Sequence, residues 1–197
     1  NSTKVHIEAF QRSFQKNKAP KRTRKQILDL FSLETAELLK KLYPNLTNKE
    51  RKKLAKDHDQ FLIRETVKYT KPIPGVKATL KKLKKKYKIV IISNCKTKEI
   101  KAILKAARIK PHLFDKIIGN DQVKHGKPAP DEIIKAEQLL QLKDGYMIGD
   151  SMYDIKAGKK AKVKTIAVLT GTHTRKQLQK ENPWKILKSV KELQKIL

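Results

Sequence analysis

Two aspartates follow a short apolar stretch in the second half of the chain. Asp150 and Asp154 lie four positions apart, directly after the sequence GYMIG at 145–149. Because four positions span about one helical turn, the two carboxylates can converge. Like charges so close together need a cation, and hard carboxylate oxygens are ligands that Mg²⁺ accepts. Asp150 and Asp154 are therefore predicted to hold a magnesium ion.

Two other stretches carry groups that suit a phosphate. Ser93 and Asn94 stand at the end of the stretch KIVIIS at 88–93, which is rich in β-branched residues. Lys127 lies in the loop sequence HGKPAPDE at 125–132. A hydroxyl and backbone N–H groups suit phosphate oxygens, and a lysine ammonium neutralises their charge. Ser93, Asn94 and Lys127 are therefore predicted to bind phosphate, with Lys127 also acting in catalysis.

Each of these motifs has a plain structural explanation when it is taken alone. A Ser-Asn pair after a strand is usually a turn, and a Lys-Pro pair carries little information. The stretch GDSMYD also fits a helix cap at Asp150 or Ser151, followed by a solvated Asp154. What favours a site is the order of the three motifs and their placement near strand ends.

Strands and helices are predicted to alternate after Pro72 and Pro74. Strands that are apolar throughout indicate a parallel sheet covered on both faces, and such sheets bind ligands at the carboxyl ends of their strands. The predicted strands are 88–93, 115–119, 145–149 and 164–170, and the predicted helices are about 76–86, 97–109, 131–142 and 189–197. Ser93, Asn94 and Asp150 then lie at the expected edge of the sheet.

The first part of the chain, residues 3–70, is predicted to be all-helical. Its apolar side chains recur at helical spacing. Thr47 and Glu50 match a capping box that begins a helix at roughly 48–69. Two isolated histidines in this part, His6 and His58, are expected on the surface.

The composition is that of a globular protein. Hydrophobic residues make up 38% of the 197 residues, and no run approaches the ~18 apolar residues of a membrane helix. Cys95 is the single cysteine, which excludes an intrachain disulfide bond. We therefore expect a cytoplasmic protein without a membrane partner.

The chain is strongly basic, with 48 Lys and Arg against 19 Asp and Glu and a net charge of +29. Such a surface attracts polyanions, so nucleic-acid binding is one interpretation. A phosphate-handling enzyme with a positive field is the other. Lysines occur in every segment, and no zinc-finger, RNP or GXXG signature is present, so the second interpretation is favoured.

The motifs together resemble those of the haloacid dehalogenase-like (HAD) hydrolase superfamily. The resemblance lies in VIISN with Ser93, GKPAPD with Lys127, and GDSMYD with Asp150 and Asp154. The stretches IPGVKATLKKL, LFDKIIG and IKAGKKAKV are also similar to its phosphoglycolate phosphatase-like branch. The resemblance implies a Rossmann-like, three-layer α/β core at 1–14 and 72–197, with an inserted all-helical cap subdomain at 15–71.

The resemblance also implies an activity and a partner. It indicates a Mg²⁺-dependent phosphatase for a small phosphorylated substrate, acting as a monomer or homodimer. Ser93 and the backbone N–H of Asn94 would bind the phosphoryl group, and Lys127 would stabilise its charge. Asp150 would ligate the metal, and Asp154 would support the metal site directly or through water or Lys127. Phosphoglycolate is the default substrate; pyrophosphate, nucleotides and sugar phosphates stay open, as does a phosphomutase of the same family.

The family's attacking group is not found in this sequence. The family uses an aspartyl-phosphate intermediate formed by an aspartate at the end of the first strand, in a motif similar to Asp-x-Asp-Gly-Thr-Leu. The resemblance begins just after that motif, at Asn1-Ser2. We expect a fragment that lacks the first central strand and is inactive as a hydrolase. The alternative is a catalytically dead, basic module that binds nucleic acid or another polyanion.

Overall fold

Helices and parallel strands alternate in the second part of the chain, after a first part made of helices. The computed structural model describes residues 2–197. The α-helices are α1 Thr3–Lys16, α2 Arg24–Asp29, α3 Thr35–Leu42, α4 Asn48–Arg64, α5 Val76–Leu83, α6 Thr97–Ala106, α7 Asp131–Leu140, α8 Met152–Lys160 and α9 Arg175–Gln179. The strands are β1 Val90–Ser93, β2 Lys116–Gly119, β3 Tyr146–Gly149, β4 Lys164–Val168 and β5 Lys185–Leu187.

The strands form two separate parallel sheets within the described residues. β1 pairs with β2 in register from Val90↔Lys116 to Ser93↔Gly119. β4 lies between β3 and β5 in the second sheet. One edge of β1 and one edge of β3 therefore have no strand partner among residues 2–197. A sheet that lacks a central strand would be divided in this way, and the missing strand stays a prediction.

Both faces of the larger sheet are covered, which agrees with the predicted three-layer α/β class. Ile166 and Val168 pack in one cluster with Leu187 and Leu193. Ala167, between them in β4, packs on the other face. Because neighbouring residues of a strand point to opposite faces, this division places buried apolar groups on each side of the sheet. The fold-class prediction is confirmed.

The predicted elements differ from the structure mainly at the carboxyl end of the chain. The predicted helix at 189–197 is a 3₁₀ turn, Val190–Lys195. Leu193 of this turn is buried against the larger sheet, and we attribute the 3₁₀ conformation to this packing. α9 and β5 were not predicted, since five and three residues are too short to show a period.

The helical part forms a compact unit of its own. This unit holds the residues up to Lys71 together with Lys98–Ile109. Val5 and Ala9 of α1 pack against Leu62 of α4, and each of the three is fully buried. The capping box of Thr47 and Glu50 begins α4 as predicted. The side chain of each residue accepts a hydrogen bond from the backbone N–H of the other.

The second compact unit holds Pro72–Thr97 and Lys110–Leu197. The predicted boundary at 71/72 coincides with a boundary between the units. The helical unit, however, also takes in α1 and most of α6. The predicted cap at 15–71 and the assignment of 1–14 to the core stay predictions about domain architecture; Asn1 itself lies outside the described residues. No helix among the described residues is long and apolar enough to cross a membrane.

Candidate functional site

The carboxyl ends of β1 and β3 carry the predicted site residues. Ser93 is the last residue of β1, and Asp150 comes directly after Gly149, the last residue of β3. Lys127 lies in the loop that precedes α7. The strand-end rule for parallel sheets therefore places these groups where the sequence predicted them.

Asp154 is held firmly at the start of α8. Its Oδ2 atom accepts hydrogen bonds from the backbone N–H groups of Asp150 at 3.1 Å and Ser151 at 2.9 Å, and from the Ser151 hydroxyl at 2.8 Å. The Ser151 hydroxyl in turn accepts from the Asp154 N–H at 3.2 Å, which completes a capping box. Asp154 thus joins the end of β3 to the first turn of α8.

The second oxygen of Asp154 pairs with Lys127. Lys127 Nζ lies 2.7 Å from Asp154 Oδ1, and the side chains are only 12% and 7% exposed. Burial opposes the charged form of Lys127, but the carboxylates of Asp154, Glu132 and Asp150 outweigh it and raise its pKa. Burial also opposes ionisation of Asp154, but Lys127 and the bonds from Ser151 lower its pKa. The pair is therefore ionised at neutral pH.

Asp150 has a different environment from Asp154. Its side chain reaches solvent. Neighbouring protein atoms remove part of the water around the carboxylate, and this partial desolvation, together with the negative charge of Asp154, raises the pKa of Asp150; Lys127 and His173 act in the opposite direction. A cation bound at Asp150 would relieve this cost.

Asn94 connects the end of β1 to the lysine loop. Its side-chain amide donates a hydrogen bond to the Lys127 carbonyl at 2.9 Å. The Ser93 hydroxyl accepts the Cys95 N–H at 3.1 Å, so its own proton can be donated to another group. Lys127, Asp150 and Asp154 are thus brought together directly, and Ser93 adjoins them through Asn94. The predicted phosphate contacts of Ser93 and Asn94 stay predictions.

The sequence reasoning missed three residues around this group. Glu132 is fully buried in the first turn of α7, and its charge acts on Lys127. Gly171 lies against Asp150, so that a side-chain carbon there would overlap the carboxylate. His173 lowers the pKa of Asp150. Gly171 and His173 follow β4, so the strand-end rule could have pointed to them.

The carboxylate oxygens at the carboxyl ends of these strands are suitable ligands for a magnesium ion. Asp154 has each oxygen engaged by protein donors, whereas Asp150 faces solvent with a raised pKa. Mg²⁺ commonly takes one or two carboxylates and completes its shell with water and substrate phosphate. Asp150 is therefore the candidate ligand, and Asp154 is placed to position Asp150 and Lys127.

Gly149 allows the close approach of Asp154 to β3. A side-chain carbon at Gly149 would overlap Cβ and the carboxylate of Asp154. We expect Gly149→Ala to lower the free energy of unfolding by about 1–3 kcal/mol, because the first turn of α8 must shift. Gly145→Ala is the matched control, since nothing lies within 4 Å of its added carbon. Urea unfolding of both variants is the measurement; equal stabilities would contradict the proposed packing.

The parallel strands and the helices that cover them define an α/β protein, and comparison with known proteins gives the family. The sequence profile described as Haloacid dehalogenase-like hydrolase matches residues 1–168. The chain belongs to the haloacid dehalogenase-like hydrolase family. The resemblance stated from the motifs is confirmed.

Curated relatives are phosphatases by name. The chain is 33% identical over 129 residues to the phosphoglycolate phosphatase of Aquifex aeolicus. This match covers 64% of this chain and 60% of that protein. It is 34% identical over 144 residues to pyrophosphatase PpaX of Bacillus thuringiensis, covering 72% of this chain and 63% of that protein. The chain thus spans less than two thirds of the length of these two relatives.

Solved structures share the fold. A crystal structure of a hydrolase from Pseudomonas syringae superposes with a TM-score of 0.85 at 20% identity and covers 99% of this chain and 91% of that one. At this identity the likeness concerns the fold alone. It agrees with the α/β class read from the strands and helices.

Proposed function

We propose that the protein is a Mg²⁺-dependent phosphatase that acts on a small phosphomonoester. The observation that carries the proposal is the buried Lys127–Asp154 ion pair beside the solvent-facing Asp150, near the carboxyl ends of parallel strands. This arrangement offers a fixed positive charge and a carboxylate that gains from a cation. The names of the curated relatives support the same class of reaction.

Lys127 and Ser93 are the groups proposed to hold the phosphate. The raised pKa of Lys127 keeps its ammonium charged, so it can stabilise negative charge that builds up on the phosphoryl oxygens. Ser93 accepts from the Cys95 N–H and can donate its own proton to a phosphoryl oxygen. The backbone N–H of Asn94 is proposed as a further donor, while the Asn94 side chain fixes the lysine loop.

Asp150 is proposed as the protein's ligand for Mg²⁺. When bound, the metal would shield the charge of the phosphate and orient it for attack. Asp154 is proposed to act as a positioning residue, because its oxygens are engaged by Lys127 and by the donors at the start of α8. Of the direct and indirect roles predicted for Asp154 at the metal, the proposal takes the indirect one.

Attack on phosphorus needs a further aspartate. The resemblance implies an aspartate in the motif Asp-x-Asp-Gly-Thr-Leu at a strand end, and none of the described strands ends in that motif. Glu8, the first carboxylate of the chain, lies in the middle of α1 rather than at a strand end. Phosphate binding and phosphate turnover are therefore separate properties of this chain and are tested separately.

Small, strongly anionic substrates fit the charge of the protein. A net charge of +29 raises the local concentration of anions. We propose phosphoglycolate first and pyrophosphate second, following the two kinds of curated relative. Nucleotides, sugar phosphates and phosphomutase chemistry are further outcomes of a substrate screen.

The test compares the 197-residue chain with a chain extended in frame by what its gene encodes upstream of Asn1. Phosphate release from phosphoglycolate and pyrophosphate is measured with Mg²⁺ and with a chelator, and orthovanadate binding is measured in parallel. We expect Mg²⁺-dependent vanadate binding without turnover by the 197 residues, and turnover once a strand ending in aspartate is present. Turnover by the 197 residues alone would refute the aspartyl-phosphate route, and no vanadate binding by either chain would refute the site.

A basic, non-catalytic module is the second candidate, favoured by the charge and by an exposed aromatic group. Trp184 is 42% exposed and lies 5.8 Å from the Tyr146 ring, centroid to centroid. Lys164 Nζ and Lys185 Nζ lie 5.3 Å and 5.5 Å from the Trp184 ring centroid. Aromatic rings beside cations suit stacked bases. Single-stranded DNA binding that weakens steeply with salt, combined with no vanadate binding, would favour this candidate.

A further inference from the structure

A buried group of histidines and carboxylates lies inside the helical unit, whereas the residues proposed to bind phosphate belong to the second compact unit. We name it the histidine–carboxylate cluster; it consists of His6 of α1, His58 and Asp59 of α4, and Glu99 of α6. Each of the four is at most 6% exposed. The expectation that His6 and His58 lie on the surface is wrong, because packing between α1 and α4 encloses both rings.

Three atoms of the cluster have the spacing of metal ligands. His58 Nδ1 lies 3.5 Å from Asp59 Oδ1 and 3.7 Å from Glu99 Oε1. A ligand atom from each of the three residues falls within 4.8 Å of the other two. A typical N–H···O hydrogen bond is shorter, about 2.7–3.2 Å. Two ligands of a tetrahedral zinc ion, each about 2.1 Å from the metal, lie about 3.4 Å apart.

The other ring nitrogen of His58 has a partner that fixes its orientation. His6 Nδ1 lies 3.3 Å from His58 Nε2. At this distance one of the two nitrogens donates to the other, and His6 Nδ1 can accept the His58 Nε2–H. With that assignment the lone pair of His58 Nδ1 faces the two carboxylates. Metal-bound histidines commonly donate their second N–H to such an outer partner.

Asp59 also has an outer contact. Lys98 Nζ lies 3.3 Å from Asp59 Oδ2, whereas Oδ1 is the oxygen nearest to His58. One oxygen is therefore paired with a lysine, and the other is directed toward the imidazole. This division resembles a ligating carboxylate whose second oxygen is engaged by the surrounding protein.

A cation among these three atoms would offset the repulsion between the nitrogen lone pair and the two buried carboxylate oxygens. Either a proton on His58 Nδ1 or a metal ion can supply that charge. We propose that His58, Asp59 and Glu99 bind a first-row divalent transition-metal ion, with Zn²⁺ as the best fit and His6 as the outer partner of His58. One nitrogen and two oxygen ligands leave a fourth position for water. The metal would join α4 to α6 within the helical unit and is independent of the proposed phosphatase activity.

The test is a Co²⁺ titration of the metal-free, 197-residue chain in excess Mg²⁺. Magnesium prefers oxygen ligands and is proposed to bind at Asp150, so excess Mg²⁺ should leave the histidine site to Co²⁺. We expect one Co²⁺ per chain with the visible absorption of a four-coordinate ion, displaced by Zn²⁺. His58→Gln and Glu99→Gln should each weaken Co²⁺ binding by about 100-fold or more.

Two control variants locate the metal. Asp57→Asn changes a buried carboxylate next to His58 that instead bonds Lys16 and Asn17. Asp150→Asn changes the proposed magnesium ligand. Co²⁺ affinity should be unchanged in both, provided that circular dichroism shows a folded chain. If Glu99→Gln fails to fold, Glu99→Asp replaces it and should still weaken Co²⁺ binding measurably.

Three results would overturn the proposal. The first is a wild-type chain without a four-coordinate Co²⁺ spectrum. The second is a spectrum that survives in the folded His58 and Glu99 variants. The third is a spectrum lost only in Asp150→Asn. If the wild-type chain bound no Co²⁺, a proton on His58 Nδ1, rather than a metal ion, would supply the positive charge between Asp59 and Glu99.

Discussion

Replacing Lys127 with alanine is expected to lower the free energy of unfolding by about 3 kcal/mol. Removing one member of a buried ion pair leaves the other charge without compensation, at a cost of about 3–5 kcal/mol. Asp154 keeps its bonds from Ser151 and the backbone at Oδ2, so the lower end of that range applies. Urea unfolding near neutral pH, with and without the substitution, measures the difference.

The effect of Lys127→Ala should depend on pH in a defined direction. The folded pKa of Asp154 lies below its ordinary value of 3.8, so its contribution is present above 3.8 and is lost as pH falls through the folded pKa. The folded pKa of Lys127 lies above its ordinary value of 10.5, so its contribution is lost only as pH rises through that folded pKa. The destabilisation should therefore be largest between about pH 4 and pH 10.

Two further variants distinguish the contribution of the ion pair to stability from the contribution of side-chain packing. Lys124→Ala removes an exposed lysine from the same loop and should change stability by less than about 0.5 kcal/mol. Lys127→Met with Asp154→Asn removes both charges and should recover part of the loss, because no unpaired charge stays buried. If Lys127→Ala unfolded like the wild type, the pair would not stabilise the fold.

The position of the site was predictable because parallel sheets expose their strand ends. Ser93 and Asp150 could be placed from apolar runs that stop at polar residues, without any tertiary information. The pattern from Ser151 to Asp154 also matches a helix cap, which is the plain structural explanation of the same stretch. The structure combines the two, since the capping acid is also the partner of Lys127.

The division of roles between the two aspartates was not predictable from sequence. Asp150 and Asp154 are chemically identical, and only their neighbours make one pKa rise and the other fall. Those neighbours include Lys127, 23 positions before Asp150, and His173, 23 positions after it. Contacts at such separations arise from the fold, and local periodicity carries no information about them.

The histidine–carboxylate cluster escaped prediction for a related reason. α4 is rich in lysine, so its sequence is typical of a solvated helix. Asp57, His58 and Asp59 are nevertheless buried. Packing of α1 along α4, together with the carboxylate of Glu99 from α6, encloses polar side chains that a hydrophobic pattern assigns to the surface.

Asp150→Asn is expected to abolish Mg²⁺-dependent vanadate binding and yet to stabilise the metal-free protein. Asp150 is the one side chain proposed to ligate Mg²⁺, and an amide is a much weaker ligand for a hard cation than a carboxylate. The same carboxylate has a raised pKa through desolvation and the charge of Asp154, so its ionisation costs folding free energy. Loss of binding and gain of stability should therefore occur together.

Measuring stability as a function of pH tests whether Asp150→Asn stabilises the metal-free protein. Because the folded pKa of Asp150 lies above its ordinary value of 3.8, wild type and variant should be similar in stability below that pH. The advantage of the variant should grow as pH rises through the folded pKa and then stay constant. Thermal unfolding from acid to neutral pH in a chelator measures this difference.

Magnesium should reverse the order of stability. A ligand that binds only the folded state raises its stability in proportion to the logarithm of ligand concentration, so wild type should gain from Mg²⁺ and vanadate while Asp150→Asn should not. Asp144→Asn, at an exposed acid before β3, is the matched control and should keep the wild-type response. A variant less stable than wild type without metal would make Asp150 a structural residue, and an unchanged Mg²⁺ response would move the metal to another ligand.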